Sequence, residues 1–109
     1  MTGNQLVKGF LKKRGRDFVN GDGEKIFLKG VGLGNWLLPE GYMWHFWTAR
    51  ADRPRRIEAV IAELTGRDYA ERFWQEFYRE YITETDIKAI AEEGFNSIRI
   101  PINWRRVME

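Results

Sequence analysis

The chain has no cysteine among its 109 residues. That removes a disulfide framework and thiolate chemistry, and it leaves the redox compartment open. It has one histidine, His45. A metal site normally draws on several clustered His, Cys or carboxylate ligands; none is spaced for it here, so no metal is expected. His45 is expected to be structural or to lie beside a substrate. No apolar run approaches the ~20 residues of a membrane span, so no membrane partner is expected. The net charge of +2 implies no strongly charged partner overall. Internal repeats and low-complexity segments are absent. Met1-Thr-Gly-Asn-Gln-Leu-Val lacks the charged start and apolar core of a signal peptide, which makes the cytoplasm the default expectation. What is left is a globular composition, 43% hydrophobic and 31% charged, in a chain long enough for one domain to bury a core.

Two stretches stand out. In the first, Phe27 to Leu33 is apolar apart from Lys29, as expected of a strand buried on both faces. Gly30, Gly32 and Gly34 fall at every second position, where a missing side chain lets something come close. Asn35-Trp36 and then Pro39-Glu40-Gly41 follow, with a breaker on either side of a carboxylate. The bland alternative is a tight strand end without chemistry. The second stretch is Gly94-Phe-Asn-Ser-Ile-Arg-Ile-Pro-Ile-Asn-Trp104, again a short apolar strand that ends in proline, a polar residue and tryptophan. Alternation puts Ile98, Ile100 and Ile102 on one face and Ser97, Arg99 and Pro101 on the other. An arginine inside a buried strand is costly unless a carboxylate or ligand meets it; a structural ion pair is the plainer reading.

Around these lie simpler elements. Residues 1–8 read as a loose lead-in. Phe10 to Val19 is a basic strand, Asn20-Gly-Asp-Gly23 a hairpin turn, and Lys25 to Leu28 the returning strand. The cluster Lys12-Lys-Arg-Gly-Arg16 is either a solvated face or a nucleic-acid patch; no aromatic stacking pattern accompanies it, and the solvated face is preferred. Gly41 to Trp47 is rich in aromatic rings, either a wall on which a sugar stacks or an apolar plug. Arg50 to Leu64 is a predicted helix, capped by Asp52, with Pro54 in its first turn, Gly66 at its end, and Ile57, Val60, Ile61 and Leu64 on its buried face. Asp68 opens a second helix, with Glu71 completing a capping box and a stripe of Tyr69, Phe73, Phe77 and Tyr81 flanked by Trp74 and Tyr78. Thr83 caps a third, with Ile87, Ile90 and Ala91 inward and Gly94 at its end.

Lys29-Gly-Val-Gly-Leu-Gly-Asn-Trp-Leu-Leu-Pro-Glu40 and Gly94-Phe-Asn-Ser-Ile-Arg-Ile-Pro101 together resemble the first two barrel strands of glycoside hydrolase family 5, the cellulase and exo-β-1,3-glucanase family. The match runs from about Phe10 to Trp104. It implies an α/β fold, the N-terminal part of a (β/α)8 TIM barrel: a basic β-hairpin over 10–28, then barrel strands 1 and 2 with a helical insertion over 29–104. A complete barrel takes about 250 residues. Residues 1–109 are therefore expected to be a fragment that stops abruptly at Val107-Met108-Glu109. Two barrel strands leave open edges, so poor folding in isolation is expected.

The resemblance also implies a chemistry. Retaining glycosidases use two carboxyl groups about 5–5.5 Å apart. In this family both come from later strands, so no catalytic carboxylate is expected here, and the isolated chain is expected to be inactive. Arg99 matches the arginine beneath the nucleophile, where a cation keeps that carboxylate ionised. Glu40 matches an acidic residue that binds sugar hydroxyls, with Asn35 and Trp36 on the same rim and Asn103 and Trp104 after strand 2. Asn35 stands where many relatives have glycine, and Pro39 precedes Glu40. The implied partner is a β-glucan poly- or oligosaccharide, with no cofactor and no nucleic acid. Linkage, exo or endo action and oligomeric state stay open, as does the compartment, since secreted relatives are common. A non-catalytic carbohydrate-binding domain with a platform of Trp36, Trp44, Trp47 and Trp104 is the alternative.

Overall fold

The structure, a computed structural model, describes residues 8–106 and residue 108. The expected lead-in, apart from Lys8, and Val107 and Glu109 of the expected abrupt stop lie outside those residues. The described chain divides into two compact units, with breaks after Val31, Thr83 and Arg99.

In the first unit a three-stranded antiparallel sheet follows the order β1 (Lys12–Arg14), β2 (Asp17–Val19), β3 (Lys25–Ile26). Phe10 to Val19 is thus not one strand but two. Gly15, at φ 62°, turns the chain so that Lys12 pairs with Val19 and Arg14 with Asp17. A run of basic residues reads as continuous in sequence, but a glycine able to adopt positive φ breaks it. The next turn is built by Asn20, which is buried. Its Oδ1 accepts the backbone N–H groups of Asp22 and Glu24, each at 2.9 Å. Gly23, not Gly21, supplies the positive φ, 81°. Lys12, Lys13, Arg14 and Arg16 are all exposed.

The same unit holds α3 (Glu84–Glu92), none of whose residues is buried, and β5 (Ser97–Arg99), which pairs with β4 (Gly30–Gly32). Ile87 and Ile90 are half-buried, whereas Ala91, expected inward, is exposed. Asn96 staples the strand pair. Its Oδ1 accepts the Lys29 N–H at 2.8 Å and its Nδ2 donates to the Phe27 carbonyl at 3.0 Å. Gly30 is needed here, because a Cβ at that position would lie 2.5 Å from Ser97 Oγ. The expectation of a strand buried on both faces fails: Phe27 is 69% exposed, Leu28 and Gly30 are exposed, and of the run only Leu33 is buried. Among the described residues β4 is paired with β5 alone. Apolar content marked a strand made to be covered; it did not say what covers it.

The second unit is helical and aromatic. It contains 3-10 turns at Gly41–Trp44, Ala49–Ala51 and Trp104–Arg106, with α1 (Pro54–Thr65) and α2 (Arg67–Glu80) between them. The first long helix begins later than the Arg50 expected. A proline disfavours helical backbone in the residue before it. Arg53 is accordingly extended, at φ −146° and ψ 163°, and the Ala49–Ala51 segment becomes a separate 3-10 turn capped by Thr48 Oγ1. Asp52 does not cap α1; it pairs with Arg53 and Arg56. Gly66, at φ 86°, ends α1 and immediately precedes α2, so Asp68 is in the first turn of α2 instead of at its cap. A carboxylate there still meets the positive end of the helix dipole.

The core of this unit centres on Ile57, Ala51 and Trp74, with Trp44, Phe46 and Phe77 packed against them. Trp44 lies 5.2 Å from Phe77, and Trp74 stands edge-on to Phe73 at 5.1 Å, centroid to centroid. Each such ring hides about 150–250 Å², worth roughly 4–6 kcal/mol at about 25 cal/mol per Å². Leu64, expected inward, is 77% exposed, because the cluster reaches Ile61 and stops there. On α2 the buried line runs through Ala70 and Trp74; Tyr69 and Tyr81, at the ends of the expected stripe, are exposed. No helix of the described residues is long and apolar enough to cross a membrane.

Candidate functional site

Five of the six residues singled out from the sequence fall in the helical unit, and they are organised by a lock between Asn35 and Glu40. Asn35 is only 4% exposed and takes a left-handed conformation, φ 65°. Asparagine tolerates that region better than most residues. The turn brings its Oδ1 within 2.7 Å of the Glu40 N–H, while the Asn35 N–H donates to Glu40 Oε1 at 3.3 Å. Gly34 makes room: a Cβ there would be 3.2 Å from Glu40 Oε1 and 3.1 Å from Met43 Sδ. Pro39 is fully buried, and Gly41 packs on the next turn, where a Cβ would lie 2.5 Å from the Ala51 carbonyl oxygen. Glu40 is thus a half-buried carboxylate with one oxygen held by backbone; among the described residues Oε2 accepts no hydrogen bond. The glycines of the first motif therefore differ. Gly30 admits Ser97, Gly34 admits Glu40, and Gly32 faces nothing within 4 Å.

Trp36 is oriented inward by its indole N–H, which donates to the Tyr78 carbonyl at 2.8 Å. It anchors the rim to the end of α2. Asn103 is buried; its N–H donates to the Leu37 carbonyl at 2.9 Å, beside a parallel bridge between Leu37 and Ile102. Its own Oδ1 accepts the Arg105 N–H at 3.2 Å. Trp104 is exposed. Arg99 belongs to the other unit, at the end of β5, where it too is exposed.

The aromatic stretch divides, with part of it packed inward and part left on the surface. Trp44 and Phe46 plug the core. Trp47 is 76% exposed, and with Tyr42, Phe46, Thr48, Ala49 and Asp52 it lines an open groove of about 460 Å³. His45 closes the 3-10 turn at φ 60°, its ring edge-on to Trp47 at 5.9 Å. Asp52 edges the groove; a hydrogen bond from Arg53 holds its carboxyl below the usual range, with Arg56 adding to the effect. Among the described residues no group of three or more His, Cys, Asp or Glu side chains could hold a metal ion.

One cluster was invisible in the sequence. Glu58 of α1 receives Arg105 Nη2 at 3.1 Å on one oxygen and Arg106 Nη2 at 3.0 Å on the other. The Arg106 guanidinium lies 4.6 Å from the centre of the Tyr78 ring. Burial pushes the Tyr78 hydroxyl above its usual range, and Arg106 opposes that shift.

Known proteins share this sequence in part. The chain is 31% identical over 96 residues to a β-xylosidase of Phanerodontia chrysosporium, covering 88% of this chain and 19% of that protein. It is 34% identical over 108 residues to glucan 1,3-beta-glucosidase I/II of Saccharomyces cerevisiae, covering 92% and 24%. It is 35% identical over 97 residues to the glucan 1,3-beta-glucosidase of Pichia angusta, covering 86% and 21%. The chain spans about a fifth to a quarter of the length of these relatives. No family model matches it, and no solved structure does.

Proposed function

We propose that this chain is the N-terminal part of a retaining β-glycosidase of the family 5 type, hydrolysing β-glucan-type O-glycosidic bonds, with β4 and β5 as the first two strands of a (β/α)8 barrel. The observation that carries this is the Asn35–Glu40 lock, in a chain similar over nearly its whole length to glucan 1,3-beta-glucosidases. A carboxylate accepts hydroxyl donors on either oxygen. With Oε1 fixed by backbone, Glu40 presents Oε2 to a sugar hydroxyl in one orientation. Trp47 and Trp104 offer exposed indole faces, on which the CH groups of a pyranose pack well. Asn35, Trp36 and Asn103 serve this surface from behind, since each is committed to the backbone of its neighbours.

The two carboxyl groups of the reaction, one nucleophile and one acid/base, are assigned outside these 109 residues. Several acidic side chains are committed to ion pairs: Asp52 and Glu58 bind arginines, Asp17 pairs with Lys25, and Glu84 pairs with Lys88. Arg99 would hold the nucleophile ionised. The pure chain, offered aryl β-glucosides and β-1,3-gluco-oligosaccharides, is expected to bind without turnover. Hydrolysis by the chain alone would sink the assignment of the carboxylates. A four-tryptophan binding platform is the weaker reading, because Trp36 and Trp44 are turned inward.

A further inference from the structure

The Glu58 cluster has no part in the chemistry just described, yet it closes on the same rim. Successive residues of a 3-10 turn point about 120° apart. Arg105 and Arg106 are successive residues of the Trp104–Arg106 turn, and both reach one carboxylate. The fork is partly shielded, with the Glu58 side chain only 21% exposed. From there the contacts run in a ring. Arg106 covers the Tyr78 ring; the Tyr78 carbonyl receives the Trp36 indole N–H; Leu37, next in sequence, receives the Asn103 N–H; and Asn103 caps the turn through the Arg105 N–H. Trp104 joins this ring and is 66% exposed, flanked by Asn103 held on Leu37 and Arg105 held on Glu58.

We propose that Glu58 is a positioning residue for saccharide binding, which acts by fixing the turn that presents the Trp104 indole. This rests on the function proposed above. Nothing in the immediate sequence of Glu58 marks it; its partners are 47 and 48 residues away. The charges fit the role, because a carboxylate between two guanidiniums is oriented by charge-assisted bonds on both oxygens. The isosteric glutamine carries no charge and only one acceptor oxygen, its NH2 facing the other guanidinium, so Glu58→Gln keeps the side chain's shape while the fork loses one of its two bonds.

The test is a binding cycle on the full chain. Wild type, Glu58→Gln, Trp104→Ala and the double variant are titrated calorimetrically with a β-1,3-gluco-oligosaccharide, each checked for folding by tryptophan fluorescence. Glu58→Gln is expected to weaken binding about fivefold, and to add nothing once Trp104 is gone. Trypsin should also cleave the Arg105–Arg106 bond faster in Glu58→Gln, a readout that needs no sugar. Arg105→Ala approaches the same fork from the other side and should weaken binding in the same sense. If Trp104→Ala loses affinity while Glu58→Gln binds as wild type, the positioning role is overturned and the rim assignment stands. Additive losses overturn it as well, because Glu58 would then act without Trp104. If the wild-type chain gives a folded tryptophan signal and a cooperative urea transition yet binds no oligosaccharide, the proposed function fails and this proposal with it.

Discussion

Replacing Asn35 by glycine and by alanine should reverse the usual order of the two. In an ordinary extended or helical site alanine is the more stable, by roughly 0.5–1 kcal/mol. Position 35 is different, because the backbone is at φ 65°. An alanine there costs about 1–2 kcal/mol in steric strain, which glycine avoids. Both substitutions remove the 2.7 Å acceptor of the Glu40 N–H in a buried environment. That loss is worth about 1–3 kcal/mol. Glycine should therefore cost roughly 1–3 kcal/mol and alanine about 1 kcal/mol more. All five tryptophans, at positions 36, 44, 47, 74 and 104, fall in the helical unit, so intrinsic fluorescence in a urea titration reports this unit. With a slope near 2 kcal/mol per M, the alanine midpoint should lie about 0.5 M below that of glycine. Equal midpoints, or alanine the more stable, would refute the left-handed lock.

Gly41→Ala places a Cβ 2.5 Å from a backbone oxygen that no rotamer change can move, and should cost about 1–3 kcal/mol in the same titration. Trp74→Ala empties the centre of the aromatic core and should cost about 3–5 kcal/mol, abolishing the cooperative fluorescence transition. Trp47→Ala should leave stability within about 0.5 kcal/mol, since its ring is in solvent, while weakening oligosaccharide affinity by calorimetry. Tyr78 has a hydroxyl raised by burial, so its contribution is complete below the ordinary tyrosine pKa of about 10 and is lost as pH rises through the higher folded value. Tyr78→Phe should flatten that alkaline loss in denaturation curves taken across the range.

Much of the local architecture was legible because it depends on backbone chemistry close in sequence. Pro54 and Gly66 mark the ends of α1 since one restricts and the other frees φ. The same chemistry explains the misplacement of Asp52: the restriction that Pro54 imposes on Arg53 outweighs a good capping residue. Asn35, Trp36 and Glu40 were grouped through the family resemblance; the lock between Asn35 and Glu40, which spans only five residues, appears in the structure alone. Longer connections were out of reach. The Glu58 fork joins residues 47 and 48 positions apart, and charged residues on a helix and a terminal turn give no sign of one another in sequence. The aromatic stretch from Gly41 to Trp47 kept two meanings because a 3-10 turn followed by irregular chain has no fixed period. Only packing could send Trp44 inward and leave Trp47 outside. Burial of the Phe27–Leu33 run was misjudged for a related reason: an apolar strand shows what it is suited to, not which neighbours it has.

The most direct test of the account is a calorimetric titration of the chain with a β-1,3-gluco-oligosaccharide, comparing wild type with Glu40→Gln. The glutamine side chain can still accept the Asn35 N–H through its own oxygen, so the fold should persist, but the charge that receives the sugar hydroxyl is gone. The account predicts saturable binding by wild type and a loss of about tenfold or more in the variant, the scale of one charge-assisted hydrogen bond. Equal affinity in the two proteins would contradict it, since Glu40 would then be part of the turn and not of a sugar site.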